Sequence, residues 1–177
     1  MRKIILGLAL SLDGFIEGPN GEYDWCFTDQ DYGFSAFLKR IDTYFMGRKS
    51  YEALIAMGEN NTGSLPKLKE YIFSTTLQNV REGATIISGD ILNEVLKIKQ
   101  EEGKDIWLFG GAGLCTSLMN LGLVDELYLA VHPILLGKGK PLFNDIQNRV
   151  QLNLLESKTY STGLVTLTYS LNEIKAD

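Results

Sequence analysis

Residues 105–114 read Asp105-Ile106-Trp107-Leu108-Phe109-Gly110-Gly111-Ala112-Gly113-Leu114. A short apolar run stops at a diglycine and passes into a helix-like stretch. Glycine at a strand-to-helix turn lets backbone N–H groups approach a phosphate with no Cβ in the way. The helix N-terminus behind it adds a partial positive charge. The same pattern occurs earlier, at Met46-Gly47-Arg48-Lys49-Ser50-Tyr51. Two such turns in one chain point to dinucleotide binding by an α/β protein.

The flanking segments agree. Residues 3–12 alternate, with Leu6, Leu8, Leu10 and Leu12 on one face and Ile5, Gly7, Ala9 and Ser11 on the other. The second face is small, which suits either close packing against a helix or room for a flat ligand ring. Asp13-Gly14 and Pro19-Asn20-Gly21 mark a long loop. Phe34, Phe37, Leu38 and Ile41 recur at helical spacing, which predicts a helix over about 30–41. A strand at Thr43–Met46 precedes a helix carrying Tyr51, Leu54 and Ile55. Gly58 to Pro66 reads as a polar loop. Strands follow at Tyr71–Phe73, ending in Ser74-Thr75-Thr76, and at Ala84–Ile87. Asp90 opens a helix that Gly103 stops. The diglycine helix runs through Leu121, a strand spans Leu127–Val131, and two segments at about 150–158 and 163–171 form an antiparallel pair. The order predicts an α/β fold: a mixed, mostly parallel sheet with helices on both faces, as a single domain over residues 1–177.

Composition narrows the function classes. A chain of 177 residues with 45% hydrophobic and 22% charged residues can form a full core without staples. The formal charge is −5 and no basic stripe is visible, which argues against nucleic acid. No apolar run is long enough to span a membrane. The start, Met1 to Leu6, reads as a first strand rather than a leader, because Asp13-Gly14 follows with no small-residue cleavage site. Cys26 and Cys115 lie far apart, which suits a reducing cytoplasm. With one histidine, His132, neither a metal site nor a Ser-His-Asp triad is expected.

The glycine turns match neither common nucleotide fingerprint. Gly111-Ala112-Gly113 supplies the first two glycines of a Rossmann turn, but Thr116 stands where the third would fall, and His132-Pro133 follows the next strand in place of an acid. Gly137-Lys138 lacks the Ser or Thr of a P-loop. Arg48 and Lys49 open a helix just after a strand. They are either a solvated surface pair or a cation placed where the dipole already favours anions. An arginine fork there suits a ribose 2′-phosphate, which favours NADPH over NADH.

Five motifs in order carry a family resemblance: Ser11-Leu12-Asp13-Gly14-Phe15-Ile16, Met46 to Glu52, Phe109 to Leu114, Val124-Asp125-Glu126-Leu127, and Pro133 to Gly139. The series resembles the dihydrofolate-reductase-like superfamily. Its closest branch is the C-terminal reductase domain of bacterial riboflavin biosynthesis, with its free-standing relatives. The resemblance extends from about residue 3 to residue 171. It implies the three-layer fold of that superfamily and a cofactor map. Ala9 and Ile16 would lie near the nicotinamide. Gly47, Arg48, Lys49 and Ser50 would hold phosphates, Ser74 and Thr75 would border the adenine ribose, and Gly110, Gly111, Ala112, Gly113 and Leu114 would wrap the pyrophosphate. It also implies a homodimer, and it places His132 away from the first loop. The zinc deaminase motifs of the full riboflavin enzyme do not occur here.

The substrate side is less defined. Dihydrofolate reductases carry a pterin-binding carboxylate on the first helix, and Asp31 falls at about that place, with Asp29 competing. Asp31 is either that acid, with a raised pKa, or a helix N-terminal acid favoured by the dipole. Asp13 is either a turn residue or a polar contact to substrate. Trp25 either covers the pocket or anchors the loop. Lys138 and Lys140 are candidate partners for a substrate phosphate, or simply surface-loop residues. The leading expectation is an NADPH-dependent reductase. It would pass hydride to a small pyrimidine- or pterin-like heterocycle, as 5-amino-6-(5-phosphoribosylamino)uracil reductase does, with Asp31 or Asp13 giving the proton. A non-catalytic nucleotide- or pterin-binding protein and a dihydrofolate reductase proper remain the alternatives.

Overall fold

The computed structural model describes residues 1–56 and 67–171; the polar loop expected at Gly58 to Pro66 lies outside the described residues. The strands are β1 Ile4–Ser11, β2 Phe15–Glu17, β3 Ile41–Gly47, β4 Lys69–Phe73, β5 Ala84–Ile87, β6 Asp105–Gly110, β7 Glu126–His132, β8 Lys140–Pro141, β9 Leu152–Thr159 and β10 Val165–Leu171. The helices are α1 Phe34–Arg40, α2 Arg48–Ala56, α3 Ile91–Gln100 and α4 Ala112–Asn120.

Eight strands form one sheet in the order β5-β4-β3-β6-β1-β7-β10-β9. The first six run parallel, and β10 and β9 close the sheet antiparallel. The fold is thus the mixed, mostly parallel α/β sheet with an antiparallel C-terminal pair that the sequence predicted. Each face buries its own core. On one face, Val95 and Ile98 of α3 and Leu114, Cys115 and Leu118 of α4 pack on Ile4, Leu6, Leu10, Ile106 and Leu108. On the other, Phe37 of α1 and Tyr51 of α2 pack on Ile5, Tyr44, Met46, Ile72 and Trp107. The alternation of β1 therefore feeds two cores at once, as a strand covered on both faces must.

Two sequence expectations need correction. The first helix starts at Phe34, not near residue 30, and Ile41 already belongs to β3. Tyr32 (φ 49°) and Gly33 (φ 83°) are left-handed, which no α-helix tolerates in its interior. The small face of β1 also divides in two. At Gly7, a Cβ would stand 2.9 Å from Trp107 Nε1 and 3.0 Å from Phe37 Cζ, so this glycine serves close packing and leaves no space for a ligand. Trp107 Nε1 donates to the Gly7 carbonyl at 2.9 Å in the same contact. Two residues on, Ala9 is only half-buried.

Charge is concentrated at the amino ends of the parallel strands. Glu126, 3% exposed, accepts from Lys3 Nζ at 2.6 Å and Arg40 Nη2 at 2.7 Å. Burial alone would raise its pKa, but these two hydrogen bonds bring it below the usual carboxylate value. Buried Lys99 donates to Asp125 at 2.6 Å, and buried Arg2 is held by Asp42 and Thr43. Among the described residues the opposite edge lacks such a lattice, and the candidate site lies there.

Candidate functional site

Because six strands run parallel, their carboxyl ends share one edge of the sheet. In open α/β sheets, ligands bind in the crevice outside that edge. Here β3 ends at Gly47 and enters α2 at Arg48, while β6 ends at Gly110 and enters α4 after Gly111. Both helix N-termini point their free N–H groups toward the edge. A cleft of about 390 Å³ opens between them and the ends of β4 and β5. Gly47, Arg48, Ser74, Thr75, Gly113 and Leu114 line it, six of the residues that the sequence assigned to cofactor binding. A Cβ on Gly113 would meet nothing within 4 Å, so the first turn of α4 is an open cradle.

The other assigned residues sit around this cleft rather than in its lining. Gly111 has φ 46° and ψ 134°, a conformation strained for any side chain, and its missing Cβ would lie 3.3 Å from Ser50 Oγ. Gly110 (φ 140°) backs onto Leu8, Ala112 is buried, and Lys49 is exposed. Ala9 and Ile16 are half-buried beyond β6, on the β1 side. Ser74 Oγ accepts from the N–H groups of Thr76 (3.1 Å) and Leu77 (3.0 Å) and so shapes the 74–77 turn. Arg48 forms an exposed bridge to Glu52 at 2.9 Å, a pair of the kind worth only about 0.3–0.5 kcal/mol. An incoming phosphate can displace it.

Several contributors escaped the sequence reading. Thr76, Ser88, Gly89, Ile91 and Ser117 also line the cleft. Ser88-Gly89-Asp90 repeats the strand-end, small-residue, helix-cap pattern, and Asp90 accepts from Asn93 N at 3.2 Å; that signal was available. Arg81 carries no such local signal. It is held by Glu70 and Tyr44, and its N–H donates to Tyr51 Oη at 2.8 Å, which ties the segment after β4 to β3 and α2. Trp107 lies edge-on to Phe34 (5.7 Å) and to Phe109 (4.9 Å). With Phe109 half-buried and Phe34 38% exposed, the row reaches the surface on the face of β1 that bears Ala9.

The candidate acids have other tasks. Asp31 is exposed and accepts from Ser35 Oγ (2.6 Å), Ser35 N (2.9 Å) and Gly33 N (3.1 Å). These bonds, the Ser35 hydroxyl first, hold its pKa below the ordinary value, which reverses the expected rise and makes it a capping acid. Asp13 accepts from Ser11 Oγ (2.7 Å), Gly137 N (2.8 Å) and Leu136 N (3.1 Å), and its pKa is lowered too, chiefly by the Ser11 hydroxyl. It clamps the 136–137 turn to the end of β1. Trp25 donates to Glu22 O at 3.3 Å and sets its ring edge against His132, so it anchors the loop.

His132 corrects the map most clearly. Parallel pairing of β1 with β7 puts it beside Ser11, and it touches the first loop rather than lying away from it. Its Nε2 accepts from Phe27 N at 3.1 Å, and Nδ1 pairs with Ala130 O at 3.0 Å, which sets the neutral tautomer with hydrogen on Nδ1. Burial lowers its pKa.

This fold and this edge define an α/β architecture with a crevice at the carboxyl ends of its parallel strands. Residues 2–166 match the RibD C-terminal domain family, and the chain belongs to that family. It is 48% identical to the uncharacterized protein YyaP of Bacillus subtilis (strain 168), over 97% of this chain and 96% of that one. Among solved structures, it is similar to a putative riboflavin biosynthesis protein from Shewanella sp. PV-4. That match has 25% identity and a TM-score of 0.83, over 97% of this chain and 99% of that one. A dihydrofolate reductase from Enterococcus faecalis, complexed with NADP(H), shares the fold at 17% identity and a TM-score of 0.70, covering 96% of each chain.

Two predictions follow from this geometry. Gly113→Val places a side chain in open cleft space on ordinary helical backbone. It should leave urea stability within about 0.5 kcal/mol, the range of surface changes, and weaken NADPH binding at least tenfold. Titration of cofactor into the folded variant checks this, and unchanged affinity would remove the cleft from the cofactor path. For His132, the folded protein binds fewer protons than the unfolded chain between its lowered pKa and the unfolded value of about 6.5. Its contribution to stability is therefore present above about pH 6.5 and lost as pH falls through that window. Melting at pH 7.5 and 5.5 should show a drop that shrinks in His132→Asn; an equal drop in both proteins refutes it.

Proposed function

We propose that this chain is an NADPH-dependent reductase acting on a small heterocycle. The observation that carries the reading is Arg48, at the mouth of a cleft between two helix N-termini, beside the open cradle of Gly113. The fit is chemical as well as spatial: exposed N–H groups and a dipole for the pyrophosphate, and a guanidinium fork for a 2′-phosphate. Gly47, Ser50, Gly110, Gly111, Ala112 and Leu114 shape the phosphate path, and Ser74 and Thr75 border the ribose. Sheet order then directs the far end of the cofactor from β6 toward its neighbour β1, where Ala9 and Ile16 stand half-buried. NADPH, when bound, supplies the hydride. The chain orients the reactants and excludes water.

Substrate would enter at the carboxyl ends of β1 and β7, against Phe34 and Phe109. The proton comes from water in this reading, because Asp13 and Asp31 are ionised and already accept hydrogen bonds, while His132 is neutral with both ring nitrogens engaged. The commitment of Asp31 to capping disfavours a dihydrofolate reductase proper. Free Cys26 and Cys115 suit a reducing cytoplasm.

A homodimer completes the proposal. Strand β9 is an eight-residue edge with Leu154 and Leu155 more than half exposed. An apolar groove of about 480 Å³ lies nearby, lined by Met119, Leu127, Phe143, Ile146, Val150 and Leu152. Exposed leucines on an edge strand beside such a groove give a second copy of the chain apolar surface to cover.

Arg48→Ala should cost about 1.5–3 kcal/mol of NADPH affinity, the range for hydrogen bonds to charged groups, and leave NADH binding unchanged. Calorimetric titration reads both; equal wild-type affinity for the two cofactors would sink the assignment. Light scattering at micromolar concentration should give twice the chain mass, and a monomer would count against the dimer.

A further inference from the structure

We propose that the substrate is an uncharged or cationic flat heterocycle bearing neither phosphate nor carboxylate, a deepening that rests on the reductase reading above. From Ile4 to Leu38 the sequence holds no Lys or Arg and six acids: Asp13, Glu17, Glu22, Asp24, Asp29 and Asp31. This stretch forms β1, β2, the long loop and most of α1, which together make the substrate side of the site. The acids do not form the site; they set the field over its mouth.

The cations of neighbouring elements offset only part of this. Arg40 is drawn to the amino edge by Asp105 and Glu126, and the Lys39 carbonyl there accepts from Lys104 Nζ. Lys140 is bridged to Glu17 at 2.9 Å and cancels that one acid. Lys158 lies over the Tyr160 ring at 5.0 Å and offsets part of the Asp31 charge. Among the described residues near this turn, Lys138 is exposed, in a segment that Asp13 clamps, and acids remain in excess over cations on this side. The helix N-terminus on this side is no anion site either, since the Asp31 carboxylate already takes the N–H groups of Gly33 and Ser35. Asp13, Glu22 and Asp31 all sit below the ordinary carboxylate pKa, so they stay ionised at neutral pH.

The wall itself is apolar. Trp107 has given its N–H to Gly7 O, and Phe34 and Phe109 present ring surface without a donor. Such a row receives a flat ring by stacking or edge contact and offers nothing to a phosphate.

Matched ligands test this. One pair is 7,8-dihydrobiopterin and 7,8-dihydrofolate, which share a ring and differ in a dianionic tail. The other is 5-amino-6-(ribosylamino)uracil with and without its 5′-phosphate. Each is titrated calorimetrically into the full chain saturated with NADP⁺, at 25 and 250 mM NaCl. In at least one pair the uncharged member should bind tenfold or more tighter, and in neither should the charged member win. Salt should narrow the gap, as should Asp24→Lys, which removes an exposed acid outside the cofactor cleft. A charged member binding as tightly as its partner in both pairs, or tighter in either, overturns the proposal, as does failure of both uncharged compounds to bind. Failure of NADP⁺ and NADPH to bind at all would instead sink the reductase reading itself.

Discussion

Strand β1 lies between β6 and β7 and pairs parallel with both, and the rest of the molecule depends on that pairing. The register sets Ile5 beside Trp107, Ala9 beside Ala130 and Ser11 beside His132. With β3, β4 and β5 also parallel, six carboxyl ends meet one edge. Every strand that turns into a helix there presents free N–H groups to the same crevice. Neither glycine turn makes a site alone. Gly47 and Gly111 become one cleft because β3 and β6 are neighbours in the sheet, although more than 60 positions separate them in the chain.

The two ends of the sheet divide the electrostatic work. At the amino edge, buried Arg2, Lys99 and Glu126 have partners at hydrogen-bond distance. Removing one partner from such a set strands a buried charge, so this end is rigid. At the carboxyl edge, Arg48 has an exposed partner, Glu52, that a ligand can replace. The proposed binding of an anionic cofactor would call for this asymmetry: charges that are finished at one end and available at the other.

The loop between β1 and α1 shows how neutral and ionised groups can be structural rather than chemical. His132 holds Phe27, Asp13 holds the 136–137 turn, and Asp31 holds the start of α1. All three resemble candidates for acid–base work when read as residue types. Each is instead consumed in positioning backbone around a site whose own walls are aromatic. In the proposed reductase, hydride transfer would ask mainly for orientation and dryness, and a wall of Phe34, Trp107 and Phe109 would supply both.

The sequence by itself determined the strands of the sheet and the helix on each side of the diglycine strand, and its family resemblance marked six residues that line the cleft, Arg48 among them. The strands and helices follow from local rules: period-2 alternation, glycine where backbone must be approached, and small or charged residues at helix starts. Only the tertiary structure decided the roles of Asp13, Asp31, Trp25 and His132, the packing of Gly7 against Trp107, and the aromatic row. Phe27 and His132 are 105 residues apart, and Gly7 and Trp107 are 100. Which distant groups meet is set by strand order and register, and no local pattern carries that information. A carboxylate or imidazole takes its protonation state and its task from those neighbours, so its chemistry becomes defined only once the sheet has brought them together.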